Sequence, residues 1–182
     1  MLSDKPILMI HEFKSCFLKL PLEQYTLTFD DGLYSQYKYI DELIKTDTDK
    51  IFFISSNIVC DEQCNQSPEE ISCVYAHEKS RRGDFSNYMK WSQLHEIQSH
   101  DRCFIGAHGH DHIKDITDSV KLMINDTKQM YSKFYYHGMG SACEMFCFPY
   151  NQESELYKRI LSTKAKTKYF YGRNRVDINE IN

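Results

Sequence analysis

Apolar and polar positions along the chain switch between a period of two and a period near 3.6, and each switch marks an element. Ile7-Leu8-Met9-Ile10 is an apolar run ending on His11, the pattern of a buried strand with an imidazole at its end. Residues 13–24 are mixed, contain Pro21 and read as loop. Tyr25-Thr26-Leu27-Thr28-Phe29 is aromatic and β-branched, so a second strand is expected, stopping at Asp30-Asp31-Gly32. Tyr37, Ile40, Leu43 and Ile44 then share one helical face between Ser35 and Lys45. The run from Lys50 to Ser56 predicts another buried strand. Strand, helix, strand with short connections is a βαβ unit, which implies a parallel pair.

From Cys60 to Asn87 the periodicity fades, and an irregular insert is expected over about 60–87, either a lid or a small subregion. Met89, Trp91, Leu94 and Ile97 resume helical spacing, with Ser92 as the candidate cap. Cys103–Ala107 predicts a strand running into His108-Gly109-His110-Asp111-His112. Ile116, Val120, Met123, Thr127, Met130 and Phe134 form a long core-facing stripe, with Gly138 as the stop. A strand at Met145–Phe148 closed by Pro149-Tyr150-Asn151, a helix over 153–161 and a strand at 169–172 follow. Residues 173–177 read as loop. The alternation predicts a single α/β domain over 1–182 with a mostly parallel sheet, open or rolled into a barrel.

Charge and composition narrow the function. A formal net charge of -4 argues against nucleic acid, which wants a basic footprint. No stretch has the length and apolarity of a membrane span. The segment Met1-Leu2-Ser3-Asp4-Lys5-Pro6 lacks the apolar core of a signal peptide, so a cytoplasmic protein is expected. The seven cysteines are an odd number, and free thiols are the expectation. Cys60, Cys64 and Cys73 would need a further ligand to make a zinc knuckle.

In parallel α/β folds functional groups gather where strands end. His11, Asp30-Asp31, His108 with His112, and Pro149-Tyr150 all fall at such ends. Adjacent carboxylates repel and resist desolvation unless a cation or a proton is shared between them. His108 and His112 are four apart, so a helical start would put both rings on one face. Two imidazoles and a carboxylate are a catalytic Zn²⁺ set. His77, His95, His100 and His137 read as surface residues. Arg173 and Arg175 read as a solvated loop, with contact to an anionic substrate as the alternative.

Three ordered stretches resemble the polysaccharide deacetylase family (carbohydrate esterase family four, the NodB homology domain). Thr28-Phe29-Asp30-Asp31-Gly32 is similar to its first motif, His108-Gly109-His110-Asp111-His112 to its second, and Phe146-Cys147-Phe148-Pro149-Tyr150-Asn151 to its third. The resemblance implies a distorted, incomplete (β/α) barrel and removal of an N-acetyl or related N-acyl group from an amino sugar. It implies Asp31, His108 and His112 as ligands of a divalent metal, most simply Zn²⁺, and Asp30 as the base acting on metal-activated water. Pro149 and Tyr150 would line the oxyanion and substrate side.

The third motif often carries an arginine that orients the base, where Cys147 stands here. No tryptophan-bearing fourth motif is visible, and no histidine follows His137 to serve as the family's general acid. His11 is the first candidate for that role and His110 the second. The absence of an export signal favours an intracellular substrate, such as a nucleotide- or lipid-linked sugar for surface polysaccharide, over an external oligosaccharide. The alternative is a deacetylase-like domain that holds metal and glycan without turnover.

Overall fold

The structure, a computed structural model, describes residues 4–181. Met1, Leu2 and Ser3 of the N-terminal segment read above, and Asn182, lie outside the described residues. Seven strands, β1 (Ile7–Ile10), β2 (Thr26–Phe29), β3 (Lys50–Ile54), β4 (Cys103–Ala107), β5 (Met145–Cys147), β6 (Tyr169–Tyr171) and β7 (Val176–Asp177), form one sheet ordered β6-β5-β4-β3-β2-β1-β7. Every neighbouring pair is parallel, so all the C-terminal ends open on one rim. The central strands β2 and β3 are buried along their whole length, as parallel strands covered on both faces must be.

Connectivity shows that this sheet curls. Laid flat, edge strands β6 and β7 would lie six spacings apart, about 29 Å. Only five residue steps separate Tyr171 from Val176, and these reach at most about 18 Å. The edges must therefore approach, which gives an incomplete (β/α) barrel. The short crossing from β6 to β7 passes the rim on which β2 ends.

Helices α1 (Tyr34–Lys38), α2 (Ile40–Leu43), α3 (Cys73–Ser80), α4 (Trp91–Ser99), α5 (Val120–Tyr136) and α6 (Glu155–Ala165) complete the fold. One large core joins Phe13, Phe29, Phe52, Trp91, Phe134 and Phe146, with Phe29 stacked on Phe52 at 4.5 Å. Met123, Thr127, Met130 and Phe134 of α5 are buried as their spacing predicts. Val120 is half exposed and Ile116 sits in a preceding 3₁₀ turn, because Ser119 caps the helix by accepting from Leu122 N–H.

Several expectations are corrected. The helix expected over 35–45 breaks at Tyr39 (φ -111°, ψ 22°) into α1 and α2; the Tyr39 ring packs on Phe13, and its hydroxyl meets Glu70. α4 starts at Trp91 rather than being capped by Ser92: Gln93 Oε1 accepts Lys90 N–H at 2.9 Å, and Ser92 bonds Glu62 instead. The insert is not wholly irregular, since α3 forms behind a Ser72 cap. Cys60 and Cys64 are joined by a disulfide, which corrects the reading of all cysteines as free and takes two thiols out of any zinc knuckle. Within 173–177, Val176 and Asp177 are not loop but pair with Leu8 and Met9 at the sheet edge.

A β-carbon at Gly106 of β4 would fall 2.6 Å from the Phe53 ring and 3.3 Å from the Met145 carbonyl oxygen. Gly106→Ala is expected to lower stability by about 1–3 kcal/mol through overpacking. The urea midpoint should fall with an unchanged slope; an unchanged midpoint would show that the Phe53 ring yields freely.

Candidate active site

β2 delivers Asp30 and Asp31 to the rim with each side chain only 2% exposed. Asp31 (φ 72°) and Gly32 (φ 77°) both lie in the left-handed region. Glycine suits the second position, where a β-carbon would come within 3.0 Å of Ile54 Cδ1. Asp31 holds the same region at a cost in strain, and the turn sends the two carboxylates to different partners.

Asp30 faces Arg175, from the crossing between β6 and β7. Nη1 donates to Oδ1 and Nη2 to Oδ2, each at 2.8 Å, a bidentate pair. Arg175 also donates from Nε to Gly172 O at 2.9 Å and from Nη1 to Thr28 Oγ1 at 3.1 Å. Its side chain is 2% exposed, which corrects the reading of it as part of a solvated loop. Burial pushes the Asp30 carboxyl up, but the guanidinium outweighs that and holds its pKa below the ordinary 3.8. Gln36 of α1 locks the strand ends, donating from Nε2 to both His11 O and Asp30 O at 2.6 Å.

Asp31 faces imidazoles instead. His108 Nε2 lies 3.4 Å and His112 Nε2 3.1 Å from Asp31 Oδ1. A loop brings them together, not the helical start expected from the spacing: Gly109 (φ 80°) and His112 (φ 50°) turn the backbone through the left-handed region. Asp126 of α5 supports that loop, accepting His110 N–H and Asp111 N–H at 3.0 Å each. The Nδ1 of His108 lies 2.9 Å from Cys147 O. A carbonyl can only accept, so Nδ1 carries a proton; burial pushes the His108 pKa down, but Cys147 and Asp31 outweigh it and raise it well above 6.5 when no ion is present, whereas with an ion in place the neutral ring would present its Nε2 lone pair to the site. Asp31 Oδ1 has no hydrogen-bond partner among the described residues despite being buried. Lone pairs converging on an orphaned carboxylate oxygen repel unless a cation lies between them, so this donor set fits a divalent metal.

His77 of α3 joins this group, with Nε2 3.3 Å from Asp31 Oδ2 and its ring stacked on His112 at 4.4 Å. It is not a surface residue. Burial pushes the Asp31 carboxyl up, and positive charge on the side of His112, His108 and His77, carried by ring protons or by an ion between them, outweighs it and holds the pKa well below the carboxylate range. Two donor groups can be distinguished: Asp31 with His77 and His112, and Asp30 with His108 and Cys147. A guanidinium already neutralises Asp30, so a cation is favoured beside Asp31.

The remaining candidates divide. His11 lines a cavity of about 220 Å³ together with Asp30, Asp31, His108, His112 and Tyr150. Tyr150 (φ 54°) sets its ring 4.7 Å from that of His112, and Pro149 opens the turn that carries it. His110 is not part of this cavity: its Nδ1 meets Ser56 Oγ at 2.8 Å. Cys147 Sγ lies 3.5 Å from Asp30 Oδ2. His137 stays partly exposed, with its ring stacked on Trp91 at 3.9 Å. Arg175 had one signal in the sequence, since a buried carboxylate with no motif arginine still demands a cation. His77 had none, because nothing in the sequence pattern points α3 at the rim.

The family model for polysaccharide deacetylase matches residues 20–169. No curated protein shows a significant sequence match. Among solved structures, that of IcaB from Ammonifex degensii superposes with a TM-score of 0.62 at 19% identity, covering 96% of this chain and 92% of that one. The Streptococcus pyogenes deacetylase PplD, in complex with acetate, gives a TM-score of 0.61 at 12% identity, covering 91% of this chain and 82% of that one.

Replacing Arg175 leaves Asp30 buried without a counter-charge. Arg175→Met is expected to cost about 3–5 kcal/mol near neutral pH. In the parent the depressed pKa of Asp30 contributes stability above 3.8 that is lost as pH falls through the lower folded value. In the variant that pKa is raised, so the gap between the two proteins should narrow as pH falls through 3.8. Urea unfolding across this range measures it; a gap independent of pH would contradict the pairing.

Proposed function

Because the chain belongs to the polysaccharide deacetylase family, we propose that it is a metal-dependent hydrolase removing an N-acetyl or related N-acyl group from an amino sugar. The observation that carries this reading is the convergence of His108 and His112 on the orphaned Asp31 oxygen beside an arginine-clamped Asp30. Asp31, His108 and His112 would hold the divalent ion, Zn²⁺ first. Bound there, such an ion supplies Lewis acidity and brings the pKa of water down to about 7.

The chain's own residues account for the proton movements. Arg175 keeps Asp30 ionised and fixes its plane. Oδ2 faces both the guanidinium and Cys147 Sγ, whereas Oδ1 takes only Nη1 from that pair. Oδ1 therefore keeps a lone pair for the proton of the attacking water. His11, on the wall of the same cavity, is assigned to protonate the departing amine. The Tyr150 turn borders the acyl group, and the exposed Tyr150 ring offers an apolar face to the sugar. Hydrolysis then breaks the amide C–N bond, giving the carboxylate and the free amine.

The alternative, binding without turnover, draws on the missing motif arginine. Arg175 offers Asp30 a guanidinium from another strand end, which favours the enzyme. For the substrate, the nucleotide- or lipid-linked intracellular sugar stays in the proposal as one arm of the assay. No described helix is long and apolar enough to cross a membrane. The Cys60–Cys64 disulfide suits an oxidising compartment and makes oligosaccharide the other arm.

Asp30→Asn is expected to lower acetate release from the best N-acetylated sugar by at least about 100-fold while bound metal is unchanged. Acetate release and metal analysis on the same preparation decide it. Turnover retained in that variant would contradict the role given to Asp30.

A further inference from the structure

We propose that His77, delivered by the insert helix α3, is a third imidazole ligand of the ion that Asp31, His108 and His112 would hold. The inference rests on that metal-site reading and extends it to a residue outside the three motifs.

The geometry is specific. His77 Nε2 approaches Asp31 Oδ2 at 3.3 Å, on the oxygen that His108 and His112 leave free. Its donor atom and those of Asp31 and His112 all lie within 4.8 Å of one another. Donors about 2.1 Å from a shared tetrahedral ion stand about 3.4 Å apart; His112 and His108 stand 3.1 and 3.4 Å from Asp31 Oδ1 and His77 3.3 Å from Oδ2 of the same carboxylate, with His108 at the side of the cluster that also faces Asp30 and Cys147. Yet His77 Nε2 is buried without a hydrogen-bond partner among the described residues. An ordinary ion pair would have closed that bond.

Packing gives the same answer. The three imidazoles are buried around one carboxylate, His77 12% exposed and the others less, and the rings of His77 and His112 are stacked within 13° of parallel with both Nε2 atoms facing Asp31. The other ring nitrogen of His77 is already engaged: Nδ1 meets Oη of the fully buried Tyr88 at 3.1 Å, the outer-shell support that orients metal-bound histidines. The insert would thus be tied to the ion, and metal loading would order the roof of the cleft.

The test uses the full chain, stripped with chelator, then titrated with Zn²⁺ against a chromophoric chelator and with Co²⁺ for its visible absorption. The parent should bind about one ion per chain. Loss of outer-shell partners costs 10–100-fold in affinity, so His77→Ala, which removes a ligand, is expected to cost on the order of 100-fold or more and to change the Co²⁺ bands. Tyr88→Phe, which removes only the support, should lose about tenfold. His77→Cys should add a sulfur-to-cobalt charge-transfer band, which a side chain away from the ion cannot produce, and this band decides even where the alanine variant fails to fold. Parent-like affinity and bands in His77→Ala, or no charge-transfer band in a Co²⁺-loaded His77→Cys, would overturn the assignment. A parent that binds no divalent ion would overturn the metal-site reading beneath it.

Discussion

Two adjacent carboxylates buried at the end of one strand cannot share one environment, and the site is built around keeping them apart. Each must find positive charge from a different direction or fail to ionise. The left-handed turn at Asp31 and Gly32 separates them. Asp30 takes a guanidinium with two matched hydrogen bonds. Asp31 takes imidazoles, and its Oδ1, buried between them with no hydrogen bond, is left open to a cation.

The sheet order and its curl together close this site. β7 lies two spacings from β2, about 10 Å, so the crossing that enters β7 lays the guanidinium beside Asp30, and the curl brings in β5 from three spacings away, with Cys147 Sγ 3.5 Å from Asp30 Oδ2. The same rim collects His11 from β1, the His108–His112 loop from β4 and the Tyr150 turn from β5. Rigidity comes from below: Gln36 ties β1 to β2, the carbonyl of Cys147 fixes the His108 ring, and Asp126 anchors the loop between the two histidines. Each of these supports carries hydrogen-bonding groups that would otherwise be buried without partners.

Most of the framework is legible in the sequence because parallel, doubly covered strands write themselves as continuous apolar runs, and polar residues at their ends stand out. Six of the strands, the α5 stripe and the candidate metal and base residues are read this way. What escapes is tertiary. The two-residue strand β7 has too little sequence to carry a period, so Arg175 reads as loop until its pairing with β1 is seen. His77 lies on a helix whose apolar face is short, with Ala76 the only fully buried residue of α3, and no periodicity aims it at Asp31. The histidine pair is found for a spacing that suits a helix, although positive φ angles bring the rings together. Cysteine counting likewise misses a disulfide closed within five residues.

The central claim is that a divalent ion belongs to Asp31 while Asp30 belongs to Arg175. Anomalous diffraction at the zinc edge from a crystal of the Zn²⁺-loaded protein tests it most directly. The account predicts one strong peak about 2.0–2.2 Å from an Asp31 oxygen and from the Nε2 atoms of His108 and His112, with the Arg175–Asp30 pair intact. A peak lying instead among Asp30, His108 and Cys147, or no peak at the rim, would contradict it.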